Sequence, residues 1–260
     1  MPGNLTLDAL RGAARDGSID TVVAVMVDMQ GRLMGKRFHV SNFLEVAHQE
    51  THCCNYLLAT DLEMATPDGY ASTSWSTGYG DYVMQPDMST LRLIPWAEGA
   101  AMVLCDVLDH HTHSEVAHSP RTVLKRQIER LQALGYTCTA ATELEFFVYR
   151  ETYEQARSKQ YRSLTPVSAY NEDYHILQTA REEGMMRPLR NQLVAAGIPV
   201  ECTKGEAESG QAELNIRYSD ALDMADNHSI AKHATKEIAW NTGCSASFVA
   251  KPHEDLVGSS

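Results

Sequence analysis

The chain has 260 residues, 43% hydrophobic and 22% charged, with a formal net charge of -12 at pH 7. That is enough apolar material for one large or two modest cores. The acidic balance excludes nucleic acid and anionic membrane as principal partners, because phosphate binding needs a concentrated basic surface, and no apolar run approaches the ~18–20 residues of a membrane span.

The start, MPGNLTLDALRGAARDG, lacks the basic-then-apolar form of a secretory signal, so the cytoplasm is the expected compartment. It suits a short helix with Leu7 and Leu10 inward. Two apolar runs joined at Gln30-Gly31 predict a hairpin. Ser41 is positioned to cap a short helix, and strands are expected at NYLLATDLEM, DYVMQPDMSTLRLIPW and AAMVLCDVLD, around a Gly/Ser/Thr-rich loop. These pieces form a small, mostly β domain over residues 1–112. The linker-like segment DHHTHSEVAHSP at this domain's boundary carries His110, His111, His113 and His118, read as solvated, and closes at Pro120, a first-turn proline.

The second domain, residues 113–260, opens with a helix whose Val123, Leu124, Ile128, Leu131 and Leu134 recur at helical spacing up to Gly135. The strand TELEFFVYR follows. A second helix ends at Gly197 before the acidic strand region PVECTKGEAESGQAELNIRY, and a third spans about Asp220 to Trp240 ahead of the strand CSASFVAKP. Met185-Met186, Phe146-Phe147 and Trp240 are expected in the core. The six cysteines show no CxxC spacing, so neither disulfide nor zinc site is expected.

The acids carry the chemistry. Strand alternation puts Glu143 and Glu145 on one face of TELEFFVYR, opposite Leu144, Phe146 and Val148, and puts Glu213 on the charged face of QAELNIRY with Asn215 and Arg217. Glu206 and Glu201 lie just upstream. Like charges on one buried face are costly unless something positive lies between them. Carboxylates on neighbouring strands suit hard divalent cations, magnesium or manganese rather than zinc; scattered surface acids are the plain alternative.

ELEFF resembles the E-x-E-F-F strand of the glutamine synthetase family, EAESGQAE its E-x-x-x-G-Q-x-E strand, and FVAKP with VGSS its K-P loop and N-G-S-G turn. The resemblance runs from about residue 20 to 260. It implies an α+β fold: a small β-grasp-like N-terminal domain, then the first part of a catalytic domain of antiparallel sheet flanked by helices. It implies a homo-oligomeric ring with active sites between subunits. It assigns Glu145, Glu206 and Glu213 to one metal ion (Mg2+ or Mn2+), Glu143 to a second that serves the nucleotide, Glu201 and Tyr218 to ATP, Gly258 to glutamate, and Asp68 to the amine of a neighbouring site. The implied reaction phosphorylates the side chain of glutamate with ATP, giving a γ-glutamyl phosphate that an amine attacks.

Three departures shape the expectation. DGYAS replaces the family's DGSS turn, Thr203 and Lys204 replace the usual histidines, and Val257 replaces the glutamate-gripping asparagine. They touch the amine and amino-acid pockets and leave the metal ligands in place. An organic amine or polyamine is therefore the expected acceptor, with ammonia or a non-catalytic family member as alternatives. The family's remaining ligands and arginines would lie beyond Ser260, so the 260-residue chain is expected not to turn over by itself.

Overall fold

The computed structural model describes residues 3–259, which divide into two compact units: the chain through Thr139 together with Asp220–Ser229, and Ala140–Ser219 together with the chain from Ile230 on.

In the first unit, Thr6 caps α1 (Leu7–Asp16) by accepting the Ala9 N–H at 3.1 Å, and Leu10 is fully buried. β1 (Thr21–Val27) and β2 (Leu33–His39) form the expected antiparallel hairpin. Asp28 builds its turn: one carboxylate oxygen accepts the Gln30 and Arg32 N–H groups at 2.9 and 2.8 Å, and the other takes the Arg32 guanidinium at 2.6 Å. α2 (Val40–Asn42) runs into a π-helical turn, Phe43–Ala47. His39, not Ser41, is its cap, because His39 Nδ1 accepts the Ser41 N–H.

β3 (Thr51–Cys54) comes before the stretch expected to be a strand, and NYLL is instead a 3-10 turn. β4 (Asp81–Pro86), β5 (Arg92–Leu93) and β6 (Ala100–Asp109) complete a sheet of order β2-β1-β6-β4-β3, with β5 also on β6. β1 and β6 pair in parallel and are apolar along most of their length because both faces are buried, the face of Val22, Ala24, Ala101 and Val103 in one core with Leu10 and Phe43.

α3 (Pro120–Ala133) starts at Pro120 as expected; Leu124, Ile128 and Leu131 of its apolar stripe are half-buried, but its fully buried residues lie elsewhere. Val123 and Leu134 are exposed, while Arg121 and Thr122 are buried. Arg121 turns inward because it meets three acids: Asp87 at 2.7 Å, Asp106 at 2.5 Å and Asp226 at 3.0 Å.

In the second unit, β7 (Thr139–Tyr149) leads to the short helices α4 (Tyr153–Ser158) and α5 (Ile176–Thr179), then α6 (Glu183–Ala195). β8 (Val200–Gly205) and β9 (Gln211–Asp220) form an antiparallel hairpin, and α7 (Ala221–Asn241), whose residues before Ile230 belong to the first unit, and β10 (Ser245–Ser247) follow. The sheet order is β10-β7-β9-β8. Phe146, Phe147, Met185 and Met186 are core residues as expected. Trp240 is not: it is 60% exposed, since α7 buries the face of Ile230, Ala234 and Ile238, and a residue two positions beyond Ile238 lies on the far side of a helix. No helix among the described residues is long and apolar enough to cross a membrane.

Candidate functional site

The alternation expected of β7 is present where it matters. The Phe147 and Tyr149 rings stack with centroids 6.5 Å apart on the face that Glu145 shares, and Phe146, on the other face, lies 5.4 Å from the Phe248 ring. Glu145 is half-buried and Glu143 exposed. On the neighbouring β9, Gln211, Glu213 and Asn215 share a face. Gln211 Nε2 donates to Glu145 Oε2 at 2.8 Å, joining the two acidic strands, and Asn215 Nδ2 donates to Glu213 Oε1 at 2.7 Å. Glu213 is 8% exposed.

The register of β8 on β9 sets Lys204 directly opposite Glu213, so its ammonium rises from the same face. Lys204 donates to Glu206, lies 3.2 Å from Asp173, and sits 4.5 Å over the Tyr174 ring. Burial alone would lower its pKa; the bonds to Glu206 and Asp173 outweigh that and hold it above the usual range. The chain end closes over this hairpin. Gly258, at φ +87°, places its carbonyl 3.2 Å from Gln211 Nε2, and the Val257 N–H donates to Glu208 at 2.8 Å.

Of the residues singled out from sequence, Glu145 and Gly258 thus meet through Gln211, and Glu206 and Glu213 border Lys204. Glu201 is exposed on β8 and Tyr218 is 62% exposed near the end of β9. Asp68 lies in an exposed loop of the first unit. The linker histidines His110, His111, His113 and His118 are exposed, as expected. Asn215 lies beside Glu213 as expected, while sequence reading missed Gln211 and Lys204 as members of the face. The signal was available: pairing GEAESGQAE as a hairpin about its turn sets Lys204 against Glu213.

Whether a divalent cation suits this face can be judged from the donors. Gln211 is 1% exposed, and its buried Oε1 has no hydrogen-bond partner. An orphaned carbonyl oxygen beside Glu145 and Glu213 is what an oxygen-seeking cation would satisfy. The arrangement is not preformed, however: among the described residues no three His, Cys, Asp or Glu side chains stand close enough to hold an ion. Lys204 occupies Glu206, so the donor chemistry fits and Glu206 must be released to join it.

A family model described as glutamine synthetase, catalytic domain, matches residues 117–260. The chain belongs to the glutamine synthetase family. Over 98% of its length it is 48% identical to the gamma-glutamylethanolamide synthetase GlnA4 of Streptomyces coelicolor, covering 55% of that protein. It is 38% identical to the glutamate–isopropylamine ligase of a Pseudomonas species, covering 94% of this chain and 53% of that one. A glutamine synthetase from Mycobacterium bovis is 32% identical over 74% of the chain and 42% of its own length. The fold matches that of a solved GmaS/ADP complex with TM-score 0.76 at 23% identity, over 96% of this chain and 53% of that one. This glutamine synthetase family chain therefore spans about half the length of the relatives it matches.

Proposed function

We propose that the protein containing this chain is an ATP-dependent ligase that joins glutamate to an organic amine through a γ-glutamyl phosphate. The observation that carries the reading is the acidic face of β7 and β9, Glu145 with Gln211 and Glu213, in a chain with one relative named for a γ-glutamylethanolamide product and another for an isopropylamine substrate.

In this reading Glu145, Glu206 and Glu213 would hold one divalent ion, magnesium or manganese, and Glu143 would serve a second. A bound ion supplies neutralisation of phosphate charge where two anionic substrates meet. The chain's own residues do the positioning. Gln211 fixes the Glu145 carboxylate, Asn215 fixes Glu213, and Lys204 offers a cation that can leave Glu206. Glu201 and Tyr218 would lie along ATP, Gly258 would face glutamate, and Asp68 would act on the amine. The same proposal includes a β-grasp-like first domain over residues 1–112, supported by the β1–β2 hairpin and the parallel β1–β6 pair, a homo-oligomeric ring, and a cytoplasmic place, supported by six free cysteines.

Phosphate release by the full-length protein, with ATP, glutamate and either metal, across ammonium, methylamine, ethanolamine, isopropylamine, putrescine and spermidine, tests the reading. An organic amine should give the highest kcat/KM. Ammonium as the best acceptor would make the protein a glutamine synthetase in the plain sense, the reading that the 32% identical relatives favour.

A further inference from the structure

Behind the acidic face, on the side of β7 that bears Val148, the second unit has a half-open cavity of about 420 Å³. Val148, Val167 and Met185 give it apolar walls, and Arg181, Glu182 and Cys244 also line it. Val148 and Glu145 point to opposite faces of the strand, so this space is separate from the face described above.

Glu182 is the unexplained group. It is 4% exposed and precedes α6, yet its carboxyl caps no helix N–H, and neither oxygen meets an N–H or O–H donor. Its charged neighbour is Glu172, fully buried, whose Oε1 takes the Ser168 hydroxyl at 2.6 Å and the Gly210 N–H, and whose Oε2 is likewise without a donor. Two buried acids can bond to each other only through a shared proton, an arrangement a protein core does not adopt for stability. Arg181, exposed at the rim, makes no side-chain hydrogen bond or ion pair among the described residues.

We propose that this cavity binds a small zwitterionic amine the size of a short α-amino acid, its ammonium on Glu182, its carboxylate on Arg181, and its apolar chain against Val148, Val167 and Met185. An ammonium takes the place of the shared proton and satisfies the orphaned oxygens. Arg181 makes the site select against a plain alkylamine, which it would repel, and Glu182 makes it select against a plain carboxylate.

Cys244, half-buried in the wall, gives a local readout. The rate at which methyl methanethiosulfonate modifies Cys244, followed by peptide mass spectrometry, is measured against the exposed Cys54, Cys138 and Cys202 as internal references. 2-Aminobutyrate should slow Cys244 saturably without slowing the references, and butylamine or butyrate should need at least about tenfold more. Arg181→Gln and Glu182→Gln should each raise the half-protecting concentration about tenfold or more. Circular dichroism checks that Glu182→Gln folds, and Arg181→Gln carries the test if it does not. Absence of protection up to the solubility limit, protection by butylamine equal to that by 2-aminobutyrate, or undiminished protection in Arg181→Gln overturns the proposal. Because the readout needs no turnover, these outcomes are independent of the ligase reading.

Discussion

Lys204 is the residue on which the acidic face turns. A lysine amid carboxylates is a resident cation, and any divalent ion that takes Glu206 must displace it. At the effective dielectric of a partly buried site, two unit charges about 4 Å apart interact by roughly 4 kcal/mol, so even a fraction of that changes metal affinity measurably. Lys204→Met should tighten manganese binding about tenfold or more, read by titration of the free-manganese paramagnetic resonance signal. Weaker binding in the variant would mean that Lys204 holds Glu206 in a ligating position instead of competing for it. Glu182 gives a second residue-scale expectation, in pH. Burial first, then the charge of Glu172, pushes its carboxyl well above the ordinary 4.5. A raised carboxyl binds its proton more tightly folded than unfolded, so its contribution to stability is complete below about 4.5 and is lost as pH rises toward the folded-state value. Glu182→Gln should therefore flatten the fall in melting temperature between acid and mildly alkaline pH. An unchanged slope would show that Glu182 is ionised in the folded chain.

At the scale of elements, the β8–β9 hairpin depends on Gly210. Its φ is +71°, and an added Cβ would lie 2.7 Å from the Val148 carbonyl oxygen, a backbone atom with no side-chain freedom to yield. Gly210→Ala combines left-handed strain with a steric clash, and a loss of about 2–4 kcal/mol in denaturant unfolding is expected. A loss under about 0.5 kcal/mol would mean that the turn relaxes at little cost. Elements with one strong period were legible in the sequence: β1 and β6 as apolar runs, α6 up to Gly197, and the two acidic strands. What failed was of another kind. NYLL has strand composition but forms a single tight turn, and the apolar stripe of α3 is only half-buried at Leu124, Ile128 and Leu131 while its fully buried positions are Arg121 and Thr122. The acids that make Arg121 worth burying come from the turn after β4, from β6 and from α7, and no local pattern announces that. The same gap hid Gln211 and Lys204 at the site: the acids were visible as types at a spacing, but their partners became visible only through strand pairing.

For the molecule as a whole, that Arg121 cluster is a long-range tie within the first unit. It joins Asp87 just beyond β4, Asp106 in β6 and Asp226 in the first turns of α7, and Lys125 adds a second cation at 2.5 Å from Asp106. Nearby, Arg92, 1% exposed, donates to Asn227 at 3.0 Å and to the Thr90 carbonyl at 3.1 Å. In a chain of net charge -12, a buried arginine holding three aspartates offsets their mutual repulsion inside the unit. Removing it leaves that repulsion uncompensated. Arg121→Met, which keeps the aliphatic stem, should cost about 3–5 kcal/mol, and hydrogen exchange should quicken in α3, β6 and residues 221–229 together. Burial would raise the Asp87 carboxyl, but the bonds from Ser89 and Arg121 outweigh it and hold it below its ordinary 3.8. Its contribution is therefore present above about that pH and is lost as pH falls through the lower folded-state value. The wild-type chain should lose stability on that acid limb, and Arg121→Met should lose less there because much of the contribution is already gone. An acid limb of equal depth in both chains would show that Asp87 is held by Ser89 alone and that the cluster does not act as one unit.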